Sequence, residues 1–448
     1  MRHAATDTDV LIVGAGPVGL FLANECARRG LRWRIVEARS SQSEQSKALA
    51  IFPRTLEIFD MAGIVAPFLE AANRVTSVAV ISHGRKLAHM PFAPEETPYP
   101  FIAMVPQNVT EALLAAELQR KGGVVEYDTT FVTGDQQDDH VHVTLNRKGE
   151  ATELRASFVV GCDGAHSAVR HLLNLPFEGA AYDESFMLAD IETNAALPAD
   201  ELQLCPSEFG PVAIFPMSAS RRRIVATIEH PEGEAPSLDV VRRILEQRAP
   251  AGIEARSLWW SSYFRIHHRH VGDLRKGRMF IAGDAAHIHS PFGGQGMNTG
   301  LHDVWNLAWK LDLFLHGRGN EQLLESYSVE RLPVIKQVIE TTHFLTKAMG
   351  TPSRFVQALR DTVIPIGVSS GSVPARLRAE AFRAGHRLSW KPDRRGPWNA
   401  LLGRFAGGGT GILRRFLLVL ESGAGSSIGE AAEKLAESVD DLVELRPG

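Results

Sequence analysis

The chain has 448 residues, 44% of them hydrophobic and 22% charged, and carries a formal net charge of -4. That is an ordinary globular balance, long enough for two to four domains at about 100–200 residues each, and it argues against whole-chain affinity for nucleic acid or an anionic membrane. The 3 cysteines, Cys26, Cys162 and Cys205, include no C-x-x-C pair, which argues against a disulfide scaffold and a cysteine-rich zinc site. Residues 9–13 then read as a short, β-branched buried strand. They run into Gly14-Ala15-Gly16-Pro17-Val18-Gly19 and a helical pattern through Arg29, closed by Gly30. The apolar stretch over residues 10–23 is broken by Gly14, Gly16 and Pro17 and preceded by Asp7 and Asp9. A secretory signal wants positive charge there, and no apolar run reaches the roughly 18 residues of a membrane span; a reducing, cytoplasmic compartment is expected. A second strand, residues 33–36, ends on Glu37.

Strand, glycine turn, helix, strand and acid together make a Rossmann dinucleotide-binding unit. Gly14 permits the tight turn, Gly16 lets a pyrophosphate approach the backbone, and Gly19 lets the helix pack on its strand. Pro17 and Val18 open that helix, whose first turn offers unpaired N–H groups to phosphate. Glu37 stands at the spacing of a ribose-hydroxyl acceptor. The motif alone does not separate FAD from NAD.

Lys47 follows in a loop, and residues 53–62 read as a helix with Pro53 in its first turn. Gln107 precedes a helix over residues 108–121, with Asn108 and Glu111 spaced as a capping box. From residue 124 to 160 the pattern alternates, as in Val141-His-Val-Thr-Leu145, and suggests antiparallel strands. An apolar strand then ends at Asp163-Gly164 before another helix. Asp163 either caps that turn and helix or accepts from a ribose or ribityl hydroxyl, and Gly164 permits a positive φ. Residues 186–229 are again β-rich, with a hairpin turn at residues 218–220, and suggest a separate sheet walling a substrate pocket.

A third glycine site runs from Arg278 to Gly300. A buried strand over residues 279–282 ends at Gly283-Asp284, and a loop holding Pro291, Gly294, Gln295, Gly296, Met297 and Asn298 leads into a helix with Leu301, Val304, Ala308, Leu311 and Leu315 on one stripe. The positive end of that helix, aimed at a flavin ring, would stabilise the reduced ring's negative charge. The histidines at 267, 268 and 270 fall on alternating faces of an extended segment with no carboxylate cluster beside them, so no metal site is expected. The basic stretch over residues 376–395 reads as a solvated surface.

In this order, the three sites resemble the single-component FAD-dependent aromatic hydroxylases, the p-hydroxybenzoate hydroxylase-like flavoprotein monooxygenases, over residues 10–333. Leu324-Glu-Ser-Tyr327 and Glu330-Arg331 resemble the helix that follows the last motif in that family. The resemblance implies an α/β fold: a Rossmann-like FAD-binding domain (residues 1–75, 101–178 and 272–335) interleaved with a β-rich substrate domain (76–100 and 179–271). A helical C-terminal region (336–412) and a shortened thioredoxin-like remnant (413–448) would follow. It also implies that the first motif and Glu37 hold the ADP half of FAD, that Asp163 serves FAD and NAD(P)H, that Asp284 holds the ribityl chain, and that residues 291–298 lie beside the flavin.

By position, Gln107 matches a glutamine touching FAD, Arg223 a flavin-facing arginine, and Lys47 an arginine near FAD and NADPH. At Lys47 lysine keeps the charge and loses the planar fork. The implied reaction uses NADPH or NADH and O₂ to hydroxylate a phenolic or polycyclic, polyketide-like aromatic through a flavin C4a-hydroperoxide. The cofactor carries the chemistry, and no catalytic side chain is assigned. A Baeyer–Villiger or epoxidising variant, an NAD-dependent dehydrogenase and a flavin-holding sequestration protein are the alternatives, and a monomer or homodimer is expected.

Overall fold

Residues Thr8–Val13 are buried almost throughout, which suits the centre of a parallel sheet covered on both faces. The computed structural model describes residues 6–350 apart from 45, 83, 93–96, 194–196 and 290–293, and it puts this strand there. Trp33–Val36 pairs with it in parallel on one side and Glu150–Gly161 on the other, and Met279–Ile281 adds a parallel strand beyond Gly161. The register sets Val13 opposite both Val36 and Gly161, and Gly161 opposite Ile281. Four strands therefore end in line, and the residues that follow them, Gly14, Glu37, Asp163 and Asp284, leave the sheet along one edge. A crevice outside the carboxyl ends of parallel strands is where open α/β sheets bind ligands.

Eight helices are described: α1 (Pro17–Arg28), α2 (Pro53–Met61), α3 (Val65–Ala71), α4 (Gln107–Arg120), α5 (Ala168–Leu172), α6 (Leu238–Arg248), α7 (Gly296–Leu315) and α8 (Glu321–Gly350). α1 packs between α4 and α7. The apolar stripe of α7 holds, with Leu301, Val304, Ala308 and Leu311 fully buried, and Leu315 is half-buried at its end. Thr129–Gln136, Val141–Arg147 and Glu150–Gly161 form the expected antiparallel extension, in which Val141, Val143 and Leu145 are buried and His142 is exposed.

The capping-box reading of Asn108 and Glu111 is corrected. α4 begins at Gln107 with Pro106 before it and no side-chain cap. Proline fixes its own φ and sets the first turn one residue earlier, so Asn108 falls inside the helix. Buried Glu111 instead accepts from Gln107 Nε2 at 3.0 Å.

The β-rich segments form a second, eight-stranded sheet in the order His287–Ile288, Ala255–His270, Glu178–Thr193, Arg221–Ile228, Val212–Pro216, Glu201–Cys205, Ser77–Ser82 and Arg85–Pro91. The hairpin at residues 218–220 is present, with Ser218 Oγ accepting from the N–H of Arg221 at 3.1 Å. Strand alternation divides this sheet's side chains. Met187, Ala189, Ile191, Ile224 and Ala226 pack with Val241, Ile244 and Leu245 of α6. The opposite face carries Phe186, Leu188, Ala213 and Val225 with Trp260 and Phe264. Beside them Leu202, Leu204, Phe215 and Met217 meet Leu49, Ala50 and Phe52, and Ala50 and Phe52 lie against Gly294 of the third glycine site. That face also carries Arg223, which lies over Trp260, pairs with Asp190 and reaches the Ser46–Ala48 segment.

α8 continues to Gly350; the rest of the expected C-terminal region, the basic stretch and the thioredoxin-like tail lie outside the described residues. Among the described residues no helix is long and apolar enough to cross a membrane, and no group of three His, Cys, Asp or Glu comes together as metal ligands.

Candidate active site

Three glycine sites far apart in sequence meet at the sheet edge because each lacks a side chain at a point of contact. Gly14 has φ +100°, and a Cβ there would lie 2.5 Å from the carbonyl oxygen of Cys162 and 2.8 Å from Cα of Asp163. Gly283 has φ +59° and faces Val18, the second residue of α1. A Cβ on Gly300 would lie 2.7 Å from Cγ2 of Val18 and 2.9 Å from Cα of Gly283. α1 and α7 are thus both pressed onto the Gly283 turn. Gly16 opens onto free space, with no atom within 4 Å of a Cβ placed there. Neither α1, after Gly16, nor α7, after Gln295, has a side-chain cap, so both leave first-turn N–H groups for an anion or a polar ring.

Glu37 is buried at this edge. Its Oε2 accepts from the N–H of Ala15 at 2.8 Å and its Oε1 from the N–H of Arg39 at 3.0 Å, with the Arg39 guanidinium on both oxygens. Burial raises its pKa, but the Arg39 side chain and these N–H groups prevail and hold it below the usual range. The acid therefore also braces the glycine turn.

Asp163 accepts from the N–H of Ala168 at 2.7 Å through Oδ2, while Ser167 caps α5 by accepting from Arg170 N–H at 2.9 Å. The other Asp163 oxygen is buried with no partner among the described residues, and burial pushes the carboxyl up. Asp284, in the short 3-10 turn Gly283–Ala285, is open to solvent yet ringed by protein, as a carboxylate on a crevice wall is. That enclosure raises its pKa, with His287 and Lys47 opposing. Crevice shape, uncapped helix ends, carboxylates and an orphaned acceptor fit a dinucleotide with an anionic linker and hydroxylated arms.

Three predicted residues converge elsewhere than directly on that crevice. Arg223 is 2% exposed and spends its donors on protein: Nε and Nη2 on Asp190 at 2.7 and 2.8 Å, Nη2 on Ser46 Oγ at 3.0 Å, and Nη1 on the carbonyls of Lys47 and Ala48 at 3.0 and 3.4 Å. Gln107 accepts from the N–H of Ala48 at 3.0 Å. Both thus hold the segment that carries the exposed Lys47. Asn298 is fully buried and satisfied within the protein: its Oδ1 accepts from Phe52 N–H and Thr55 Oγ1, and its Nδ2 donates to the carbonyls of Ala50 and Gly294. It ties α7 to the loop before α2. Met297 is buried beside it, Gly296 lies against the His289 ring, and Pro291 falls outside the described residues.

Sequence reasoning missed Asp190, Ser46 and a buried cluster behind the Gly283 turn. There Asp303 of α7 accepts from His287 Nε2 at 2.7 Å and Gly283 N–H at 3.2 Å through Oδ2, and from Arg331 Nε at 2.8 Å through Oδ1. Burial raises the Asp303 pKa, but Arg331 and His287 outweigh it and hold the carboxyl below its ordinary range. Tyr327 Oη of α8 donates to the carbonyl of Ile281 at 3.1 Å. A lone charge inside an apolar strand or on a buried helix stripe was the available signal for Asp190 and Asp303.

A family model described as FAD binding domain matches residues 7–342. The chain belongs to that family. It is 35% identical over 401 residues to 6-methylpretetramide 4-monooxygenase of Streptomyces rimosus, covering 87% of this chain and 69% of that protein. It is 33% identical over 351 residues to rifampicin monooxygenase of Streptomyces venezuelae, covering 77% and 72%. Among solved structures, an anhydrotetracycline hydroxylase from Streptomyces rimosus superposes with a TM-score of 0.70 at 28% identity, covering 87% of this chain and 78% of that one. The chain is an FAD-dependent monooxygenase of the aromatic-hydroxylase kind, built on the fold those enzymes share.

Proposed function

We propose that this monooxygenase hydroxylates a phenol within a polycyclic, polyketide-like aromatic, with NADPH or NADH as reductant. The carrying observations are the apolar sheet face of Phe186, Leu188, Ala213 and Val225, flanked by Trp260 and Phe264, and the meeting of three glycine sites at the edge of the parallel sheet. An extended aromatic system stacks on such a wall at little polar cost. Relatives named for 6-methylpretetramide, anhydrotetracycline and rifampicin support a large substrate.

FAD bound here would supply the redox chemistry, two-electron reduction by a nicotinamide and activation of dioxygen. The chain's own work is to bind and orient. First-turn N–H groups of α1 hold the pyrophosphate, Glu37 the adenosine ribose, and Asp163 and Asp284 hydroxyls farther along. The first turn of α7 would offer the backbone N–H groups of Gly296, Met297 and Asn298 to the flavin, where a helix terminus favours negative charge. The interleaved domains divide as residues 1–75, 101–178 and 272–335 against 76–100 and 179–271, in a monomer or homodimer. The three buried free cysteines suit a reducing cytoplasm.

The test is turnover under ¹⁸O₂ against a panel of phenols and polyketide aromatics, read by mass spectrometry. A product carrying one ¹⁸O, formed with reductant consumption, is expected. A yellow protein that binds these ligands without any oxygenated product refutes hydroxylation and favours sequestration.

A further inference from the structure

Asp190 and Arg223 face each other directly across two antiparallel strands, and both are buried, at 4% and 2% exposure. Burying an ion pair costs desolvation that an apolar pair would avoid, so its retention points to what else it holds. Here the remaining guanidinium donors leave the sheet and grip a segment from the other unit: the hydroxyl of Ser46 and the carbonyls of Lys47 and Ala48. From the opposite side, α4 takes the same segment. Gln107 N–H donates to Ser46 Oγ at 3.1 Å and to the Ala48 carbonyl at 3.0 Å, and its side-chain oxygen accepts from Ala48 N–H. The backbone around Lys47 is pinned on both flanks while its side chain stays exposed. The same segment runs on to Ala50, whose carbonyl accepts from Asn298 Nδ2 in the first turn of α7 at 2.9 Å and whose side chain lies against Gly294, so Lys47 stands beside the third glycine site; its charge also pulls down the Asp284 pKa that burial raises.

We propose that the Asp190–Arg223 pair is a positioning device that holds the Lys47 ammonium at the crevice to grip a dinucleotide pyrophosphate, and so ties the substrate-facing sheet to dinucleotide binding. The inference rests on the dinucleotide reading of the crevice. The pyrophosphate belongs either to FAD or to the nicotinamide reductant, and the chemistry is the same: a lysine donating to phosphate oxygens. Asp190 and Arg223 touch neither; they act through the Ser46–Ala48 backbone.

The experiment compares Lys47→Ala, the double variant Asp190→Leu/Arg223→Met, and the triple variant. The double variant removes both buried charges together and roughly conserves volume, which spares the fold the uncompensated charge a single change would leave. Equilibrium titration gives the dissociation constant of FAD for the apoprotein and of NADP⁺ and NAD⁺ for the holoprotein, with circular dichroism confirming the fold. Lys47→Ala and the double variant should each weaken the same dinucleotide by about tenfold, the loss of one charge-assisted hydrogen bond. The triple variant should be no weaker than Lys47→Ala alone. Weakened FAD assigns the cofactor's pyrophosphate, and weakened NADP⁺ or NAD⁺ the reductant's.

Binding within about twofold of wild type in the folded double variant overturns the proposal, as does a triple variant weakened by the full product of the two effects. Should the double variant not fold, Arg223→Lys serves. It keeps the charge beside Asp190 but has too few donors to reach Ser46, Lys47 and Ala48 as well, and the same weakening is expected. A wild-type protein that binds neither FAD nor a nicotinamide dinucleotide overturns the dinucleotide reading itself, a result distinct from unchanged variants.

Discussion

Asp303→Asn tests whether the cluster behind the Gly283 turn holds the crevice together. Three donors converge on the Asp303 carboxylate: Arg331 Nε at 2.8 Å, His287 Nε2 at 2.7 Å and Gly283 N–H at 3.2 Å. Asparagine keeps one acceptor and puts an N–H₂ where the other stood, so one side of the cluster meets donor against donor. Arg331, 7% exposed, is left without its counter-charge. Removing one partner of a buried pair costs about 3–5 kcal/mol, a large part of the typical 5–15 kcal/mol of a folded protein. The same change loosens the turn that carries Asp284, so FAD affinity should fall by about tenfold, or 1.4 kcal/mol. Urea unfolding followed by circular dichroism reads the first effect, and FAD fluorescence titration the second.

The pH dependence carries a sign. The folded pKa of Asp303 is depressed, so its contribution is full above the unfolded carboxylate value of about 3.9 and is lost as pH falls through the lower folded value. The stability gap between wild type and variant should hold near neutrality and close only in acid. A stability loss below about 1 kcal/mol with unchanged FAD binding refutes the reasoning.

Gly14→Ala forces a Cβ to 2.5 Å from the Cys162 carbonyl oxygen at φ +100°, so the strand ends must part; purified protein should lose its yellow colour, checked by absorbance, with FAD affinity down tenfold or more, about 1.4 kcal/mol or greater. Asp284→Asn should weaken FAD binding without lowering apoprotein stability at pH 7. The folded pKa of Asp284 is raised, so its charged form opposes folding at neutral pH and that penalty fades as pH falls; thermal melts of both apoproteins from neutral to acid pH should show the gap closing. Asn298→Ala removes four hydrogen bonds, to Phe52, Thr55, Ala50 and Gly294, the first three of them buried residues, and should cost about 3 kcal/mol in urea unfolding.

The glycine turns, the acid after the second strand and the apolar stripe of α7 were legible in the sequence because each is a local demand. A positive φ, a backbone contact with no room for Cβ, or a 3.6-residue period leaves its mark within a few neighbouring residues. The capping box at Asn108 failed for the complementary reason, since Pro106 set the helix start through a constraint that outranked the spacing.

What only the tertiary structure decided was register and partnership. Val13, Val36, Gly161 and Ile281 share one sheet edge through pairings that span most of the chain, and nothing local to any of them says so. By position Arg223 matched a flavin-facing arginine, and the fold sets its fork on Asp190 and the Ser46–Ala48 segment. A charged side chain's role is set by which acceptors the fold brings within 3 Å, and that is a property of folded space, where its residue type fixes only what it is able to give.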